Sequence, residues 1–322
     1  MEAIRPAQPG GPEILKVAKF PMPTPAAGQL RVRAEAIGVN YIDVYHRTGQ
    51  YKTERPVPLG QEGAGVVEAV APDVHSAKVG DRVVWCGTPG SYATHVLVSA
   101  ERAVHVPDGM DFKLAAAACL QGLTAHYLSH DTFRLGPGHT ALIHAAAGGV
   151  GLLLVQFAKR AGAKVLGTVS TSQKADLARQ AGADELILYG EQDFEAETRR
   201  LTGGQGVDVV YDSVGATTFE KSLRSLKPRG YLVLFGQSSG AVAALDPQLL
   251  SAHGSLFLTR PTLAHYTLTR AELVARANEL FAAIGAGALE IRIGRTFPLA
   301  EAAAAHRALE ARLTTGKVLL VP

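Results

Sequence analysis

The sequence predicts an α/β protein of two domains, a β-rich first part followed by a doubly wound parallel sheet. Three observations carry that expectation. The chain has 322 residues, more than a single hydrophobic core commonly organises. Apolar residues alternate at spacing two between Leu30 and Pro107, whereas from Thr140 onward short apolar runs alternate with helical stretches. A run of small residues, Ala145 to Gly151, separates the first of those later strands from the first of those helices.

In the first part, the segments beginning at Leu30, Ala64, Asp81 and Tyr92 read as antiparallel strands, with Val79-Gly80-Asp81 as a turn between two of them. On this pattern the first domain is expected to be all-β. Further on, strands are predicted at Thr140–Ala145, Ala163–Val169, Glu185–Tyr189, Val207–Val214, Tyr231–Gly236 and Ser255–Arg260. Helices are predicted at Gly151–Ala161, Gln173–Ala181, from Asp193 towards Leu201, and at Phe219–Leu226, where Pro228 forbids continuation. Short apolar strands joined by helices make a doubly wound parallel sheet. Arg270–Ile284 reads as one more helix and Lys317–Val321 as a closing strand, and the alanine runs at Ala115 and Ala302 as close-packed helix.

Hydrophobic residues make up 47% and charged residues 19%, which excludes a disordered chain. A net charge of +3, from 32 basic against 29 acidic residues, is too small to make nucleic acid the main partner. The two cysteines, Cys86 and Cys119, cannot build a disulfide scaffold or a four-thiolate zinc site. Residues Met1 to Pro6 lack the apolar core of a signal peptide, and the apolar stretch from Ala141 to Ala158 is broken by His144, Gln156 and glycines. No membrane span is expected, and the cytoplasm is the expected compartment.

The chemical signal lies in Ala145-Ala146-Ala147-Gly148-Gly149-Val150-Gly151. Gly148 would let backbone approach a pyrophosphate, Gly151 would let the helix pack on its strand, and the helix N-terminus offers free N–H groups and a positive dipole end. Ala146 stands where this fingerprint has its first glycine. An NAD site places Asp or Glu about 20 residues further on, to hold the ribose hydroxyls. Here the second strand ends in Val169-Ser170-Thr171-Ser172-Gln173-Lys174. Without the carboxylate, Ser170 and Lys174 suit a 2′-phosphate, so NADPH is the expected cofactor.

Further segments complete a pattern. They are Gly10-Gly11-Pro12-Glu13, Ile37-Gly38-Val39-Asn40-Tyr41-Ile42-Asp43, Lys78-Val79-Gly80-Asp81-Arg82-Val83, Tyr211-Asp212-Ser213-Val214-Gly215, Phe235-Gly236-Gln237-Ser238-Ser239-Gly240 and Thr259-Arg260-Pro261. In this order, and over nearly the whole chain, they resemble the medium-chain dehydrogenase/reductase superfamily. Within it the chain is similar to the zinc-free NADPH-dependent quinone oxidoreductases related to zeta-crystallin. The resemblance implies a GroES-like catalytic domain from residues 1–122 and 261–322, with a dinucleotide-binding Rossmann domain, 123–260, inserted between them. It also implies a homodimer, with the strand at Ser255–Arg260 near its axis.

Alcohol dehydrogenases of the superfamily carry a catalytic zinc. Their Gly-His-Glu motif is Gly60-Gln61-Glu62 here, and Asn40 replaces a ligand cysteine. Amides are poor zinc ligands, so no metal is expected. The resemblance places the cofactor in the cleft between the domains. Asn40 and Tyr45 would face the nicotinamide and the substrate, as the catalytic candidates. Thr124 and the backbone of Gly148, Gly149 and Val150 would hold the phosphates. Ser170, Lys174 and Tyr189 would surround the adenosine phosphate, and Phe235, Gly236, Ser238, Arg260 and Lys317 would complete the site. Lys317, preceding a strand, could equally be solvated. The expected substrate is a quinone or another conjugated carbonyl, with enone or enoyl reduction on the same scaffold as the alternative.

Two other readings of the residues compete. Gly236-Gln237-Ser238-Ser239-Gly240 fits a nucleophile elbow with Ser238 as the nucleophile of a serine hydrolase. His126 and His130, four apart on a predicted helix, could grip a metal.

Overall fold

The computed structural model describes residues 1–52 and 55–322. The chain folds as two compact units, Met1–Leu123 with Thr267–Pro322, and Thr124–Tyr266. The divisions fall at 123/124 and 266/267, against 122/123 and 260/261 in the sequence reading.

Along the chain the first unit contributes strands β1 (Glu2–Ile4), β2 (Val17–Lys19), β3 (Gln29–Val39), β4 (Glu62–Val70), β5 (Arg82–Cys86), β6 (His95–Ser99) and β7 (Ala103–His105). Helix α1 (Tyr41–Thr48) follows β3, and α2 (Phe112–Tyr127) follows β7. In β3, Leu30, Val32 and Ala34 point into the core while Arg31, Arg33 and Glu35 face outward, as period-two alternation requires. Its first half pairs with β6 and its last residues pair with the C-terminal strand, both antiparallel, while β4 takes the other edge. Trp85 is fully buried in this core, its indole N–H donating to Ser91 Oγ at 2.9 Å. The turn at Val79-Gly80-Asp81 forms as expected, with Gly80 at φ +93 and the Lys78 N–H bound to Asp81.

The second unit contains β8 (Thr140–Ile143), α3 (Gly149–Arg160), β9 (Lys164–Val169), α4 (Ser172–Gln180), β10 (Glu185–Leu188), α5 (Phe194–Leu201), β11 (Val207–Asp212), α6 (Phe219–Arg224), β12 (Leu226–Leu234), α7 (Gln248–Ala252) and β13 (Phe257–Thr259). All six strands are parallel, in the order β10-β9-β8-β11-β12-β13. The order reverses between β8 and β11, which opens a crevice at their C-terminal ends. The chain then returns through α8 (Arg270–Gly285), β14 (Ile293–Pro298), α9 (Ala302–Glu310) and β15 (Lys317–Val321), completing a seven-stranded sheet in the first unit.

Two expectations need correction. The first unit is not all-β, since α1, most of α2, α8 and α9 belong to it. Alternation across Leu30–Pro107 found β3 to β6 but missed the three-residue β7 and the short α1, and it was silent on the strands and helices outside that span. The helix predicted at Phe219–Leu226 stops at Arg224, and Pro228 lies inside β12. There the pairing jumps from Val207↔Leu226 to Val209↔Tyr231, and Arg229 takes φ +63. A proline without an N–H is tolerated at such an irregularity. No helix among the described residues is long and apolar enough to cross a membrane.

Candidate functional site

In the second unit the small-residue turn joins β8 to α3. Gly148, at the N-cap, is extended at φ −77 and ψ 173, and donates its N–H to Ala145 O at 2.8 Å. The first-turn N–H groups of Gly149, Val150 and Gly151 have no intrahelical acceptor and carry the positive end of the helix dipole. A Cβ on Gly151 would lie 2.2 Å from Ala145 O, so only glycine lets α3 sit this close to the turn. Ala146, at the place of the fingerprint's first glycine, is fully buried, and β9 makes room for it. A Cβ on Gly167 would lie 2.8 Å from the Ala146 methyl. Glycine at 167 thus lets alanine stand at 146 in the turn. Its open backbone donors fit a pyrophosphate.

The other expected residues of this unit, Thr124 apart, stand at the C-terminal ends of the parallel strands. Ser170 follows β9 and Tyr189 follows β10, and the Tyr189 N–H bonds Val169 O at 3.2 Å, so these two share a corner. Lys174 lies in the first turn of α4, capped by Thr171, and no carboxylate ends β9. Phe235, Gly236 and Ser238 follow β12, and Arg260 follows β13. Thr124, buried at 8% exposure, is in the last turns of α2.

The first unit brings Asn40 and Lys317 together. Lys317 is not solvated as the sequence allowed. It is 1% exposed, its ammonium bonded to Asn40 Oδ1 at 2.8 Å and to Glu62 Oε1. Asn40 Nδ2 donates to Glu62 Oε1 at 2.7 Å, and Gln121 Nε2 donates to Asn40 Oδ1 at 3.3 Å. With two donors on its oxygen, the Asn40 amide has one possible orientation, which leaves one N–H on Nδ2. Glu62 Oε2 accepts the Leu120 N–H at 2.6 Å, and Gly38 leaves space for this carboxylate, since a Cβ there would lie 2.2 Å from Oε1.

Asn40 is the N-cap of α1, its side-chain oxygen accepts from Lys317, and Asp43 reaches back from the first turn to accept the Asn40 N–H at 2.8 Å. The same Asp43 oxygen accepts the Tyr92 hydroxyl at 3.1 Å. Tyr92 meets His306 Nε2 at 2.9 Å, and Arg47 donates to His306 Nδ1 at 3.3 Å while binding Glu310 with both ends of its guanidinium. Burial pushes the Asp43 carboxyl up to about 7, opposed by its bonds to Asn40 and Tyr92 and by the charge of Lys317. Burial, helped by Arg47, pushes the His306 imidazole down to about 3. Tyr45, on the same helix, is 6% exposed and packs its ring 6.0 Å from Tyr41 and 5.0 Å from Tyr51.

Sequence reasoning missed Glu62, Gln121, Asp43, Tyr92 and His306. Glu62 was read only for the absence of a histidine beside it. Glu62 and Lys317 lie 255 residues apart, and it takes the pairing of both β4 and β15 with β3 to bring them to Asn40. The hydrolase reading, with Ser238 as nucleophile, fails because no helix starts at Ser239, the next one being α7 from Gln248. His126 and His130 stack at 4.2 Å, and no cluster of three or more His, Cys, Asp or Glu side chains able to hold a metal occurs among the described residues.

Family models confirm this architecture. The alcohol dehydrogenase GroES-like domain matches residues 26–108, and the zinc-binding dehydrogenase model matches residues 149–282. The chain is 48% identical to a quinone oxidoreductase of Pseudomonas aeruginosa over 315 residues, 97% of each chain. It is 44% identical to a 2-haloacrylate reductase of a Burkholderia species, across 97% of this chain and 96% of the other. Among solved structures, the Escherichia coli quinone oxidoreductase complexed with NADPH superposes with a TM-score of 0.98 at 43% identity, covering 100% of both chains. Fold and cradle define a two-domain oxidoreductase scaffold of the medium-chain dehydrogenase/reductase type. The chain belongs to that zinc-binding dehydrogenase family, in its quinone oxidoreductase group.

Proposed function

We propose that the protein reduces quinones or related conjugated carbonyls with NADPH and without a metal. The observation that carries this reading is the C-terminal edge of the parallel sheet. It offers a glycine cradle for a pyrophosphate and, at Ser170 and Lys174, a corner with a hydroxyl and a cation where NAD sites have a carboxylate. The Gly148, Gly149 and Val150 backbone and Thr124 hold the phosphates, and Ser170, Lys174 and Tyr189 hold the 2′-phosphate end. Phe235, Gly236, Ser238 and Arg260 complete the nucleotide site of the second unit, and Lys317 acts in the first unit through Asn40. The cofactor, when bound, supplies the hydride.

This chain's own part is orientation and charge. In the first unit, the remaining Asn40 N–H and the Tyr45 hydroxyl polarise the acceptor oxygen. Lys317 and Gln121 fix the amide so that it presents a donor. The Lys317 ammonium already occupies the carboxylate of Glu62 and the amide oxygen of Asn40, and at the zinc-ligand positions of relatives Asn40 and Gln61 are amides. Two copies pair through β13, and the protein works in the cytoplasm.

Enone reduction is the second reading, favoured by the likeness to the 2-haloacrylate reductase. A panel of quinones and enones with NADPH, followed by nicotinamide absorbance, decides. Quinones should turn over fastest. Turnover of enones alone would favour the second reading, and none with any acceptor would overturn both.

A further inference from the structure

Behind the cradle lies a buried chain of side chains that the proposed function does not use. His144, between β8 and the small-residue turn, is 1% exposed, with Nδ1 2.9 Å from Thr168 Oγ1 and Nε2 3.0 Å from Ser222 Oγ. Ser222 donates to Asp212 Oδ2 at 3.0 Å, and the same oxygen accepts the Thr218 hydroxyl at 2.7 Å. Asp212 Oδ1 accepts the N–H groups of Val214 at 2.7 Å and Gly215 at 3.0 Å.

These bonds, with the neutrality that burial imposes on the ring, place the protons. The Ser222 hydroxyl proton is used on Asp212, so Ser222 Oγ can only accept from His144, and Nε2 carries the hydrogen. Nδ1 is then the acceptor, and Thr168 donates to it. The ring is neutral, in keeping with burial, which lowers its basicity against the opposing charge of Asp212.

Each end of this chain grips a loop assigned to the nucleotide. Thr168 O accepts the Ala146 N–H of the cradle turn at 3.1 Å, and Asp212 O accepts the Phe235 N–H at 2.8 Å. The turn held by Asp212 also binds the loop after β12, through Ser238 N–H to Ser213 O at 3.1 Å and Ser239 N–H to Val214 O at 2.8 Å. A Cβ on Gly236 would lie 2.6 Å from Ser213 O, so the two segments are in close contact.

We infer that His144, Ser222 and Asp212 are positioning residues that lock the Ala145–Gly151 turn and the Phe235–Gly240 loop into one preformed cradle. The inference rests on the NADPH reading and adds to it which side chains hold the site ready before the cofactor arrives.

Ser222→Ala removes the middle link, and Ser222→Thr keeps a hydroxyl there. Calorimetric titration with NADPH should show about tenfold weaker binding for Ser222→Ala, with kcat at saturating NADPH changed less than about twofold and the affinity largely recovered in Ser222→Thr. Nitrogen-15 NMR of the cofactor-free protein should show one neutral His144 tautomer, protonated on Nε2. Ser222→Ala that melts earlier yet binds NADPH as the wild type does would make the chain merely structural and overturn the inference, as would an Nδ1-protonated tautomer. Wild-type protein that binds no NADPH would overturn the functional reading, and this inference with it.

Discussion

Asn40 shows what one residue type can and cannot reveal. Its identity, an amide where the family resemblance led us to look for a zinc ligand, was visible in the sequence. Its orientation was not, because the partners that set it come from residues 62, 121 and 317. The same holds for Asp43, which accepts the N–H of the residue that caps α1 and the hydroxyl of the distant Tyr92. Its carboxyl, raised from 3.8 to about 7, contributes stability that is full below about pH 4 and lost as pH rises through 7. Between those limits the wild type loses up to about 1.4 kcal/mol per pH unit from this group. Asp43→Asn keeps an acceptor for Asn40 and Tyr92 but cannot ionise. Chemical denaturation at pH 5 and pH 8 should therefore show the variant gaining on the wild type as pH rises, and a constant difference would contradict the assignment. His306, lowered from 6.5 to about 3, acts oppositely in both proteins, its contribution present above about pH 6.5 and lost as pH falls towards 3.

Elements were legible where period and punctuation agreed. β8 to β11 were each predicted at nearly their observed positions, because short apolar runs bounded by helices leave little choice. β12 was not, because its first residues include a proline and a left-handed arginine that period-two counting rejects. β13 is the edge of the parallel sheet, and Phe257 on it is 50% exposed beside Tyr231, with which it stacks at 4.5 Å. An apolar edge strand invites pairing with a second copy. Light scattering at micromolar concentration should give a dimer, and Phe257→Lys, which places a charge on that edge, should shift it towards monomer. A wild type that stays monomeric would count against this role for β13.

At the scale of the whole molecule, the sequence revealed the cradle because its chemistry is local: glycines, a strand before and a helix after lie within a dozen or so residues. The cluster of Asn40, Glu62 and Lys317 is assembled from both ends of the chain, so no local pattern could display it. Cofactor choice belongs to the local kind, since Ser170 and Lys174 follow a single strand. One measurement therefore tests the account most directly: initial rates of quinone reduction with NADPH and with NADH, for the wild type and for Lys174→Ala. A hydrogen bond to a charged group is worth about 1.5–3 kcal/mol, so the wild type should favour NADPH by roughly ten- to a hundredfold in kcat/KM. Lys174→Ala should lose most of that ratio by weakening NADPH while leaving NADH nearly unchanged. A wild type that prefers NADH, or a variant that loses both cofactors equally, would contradict the account.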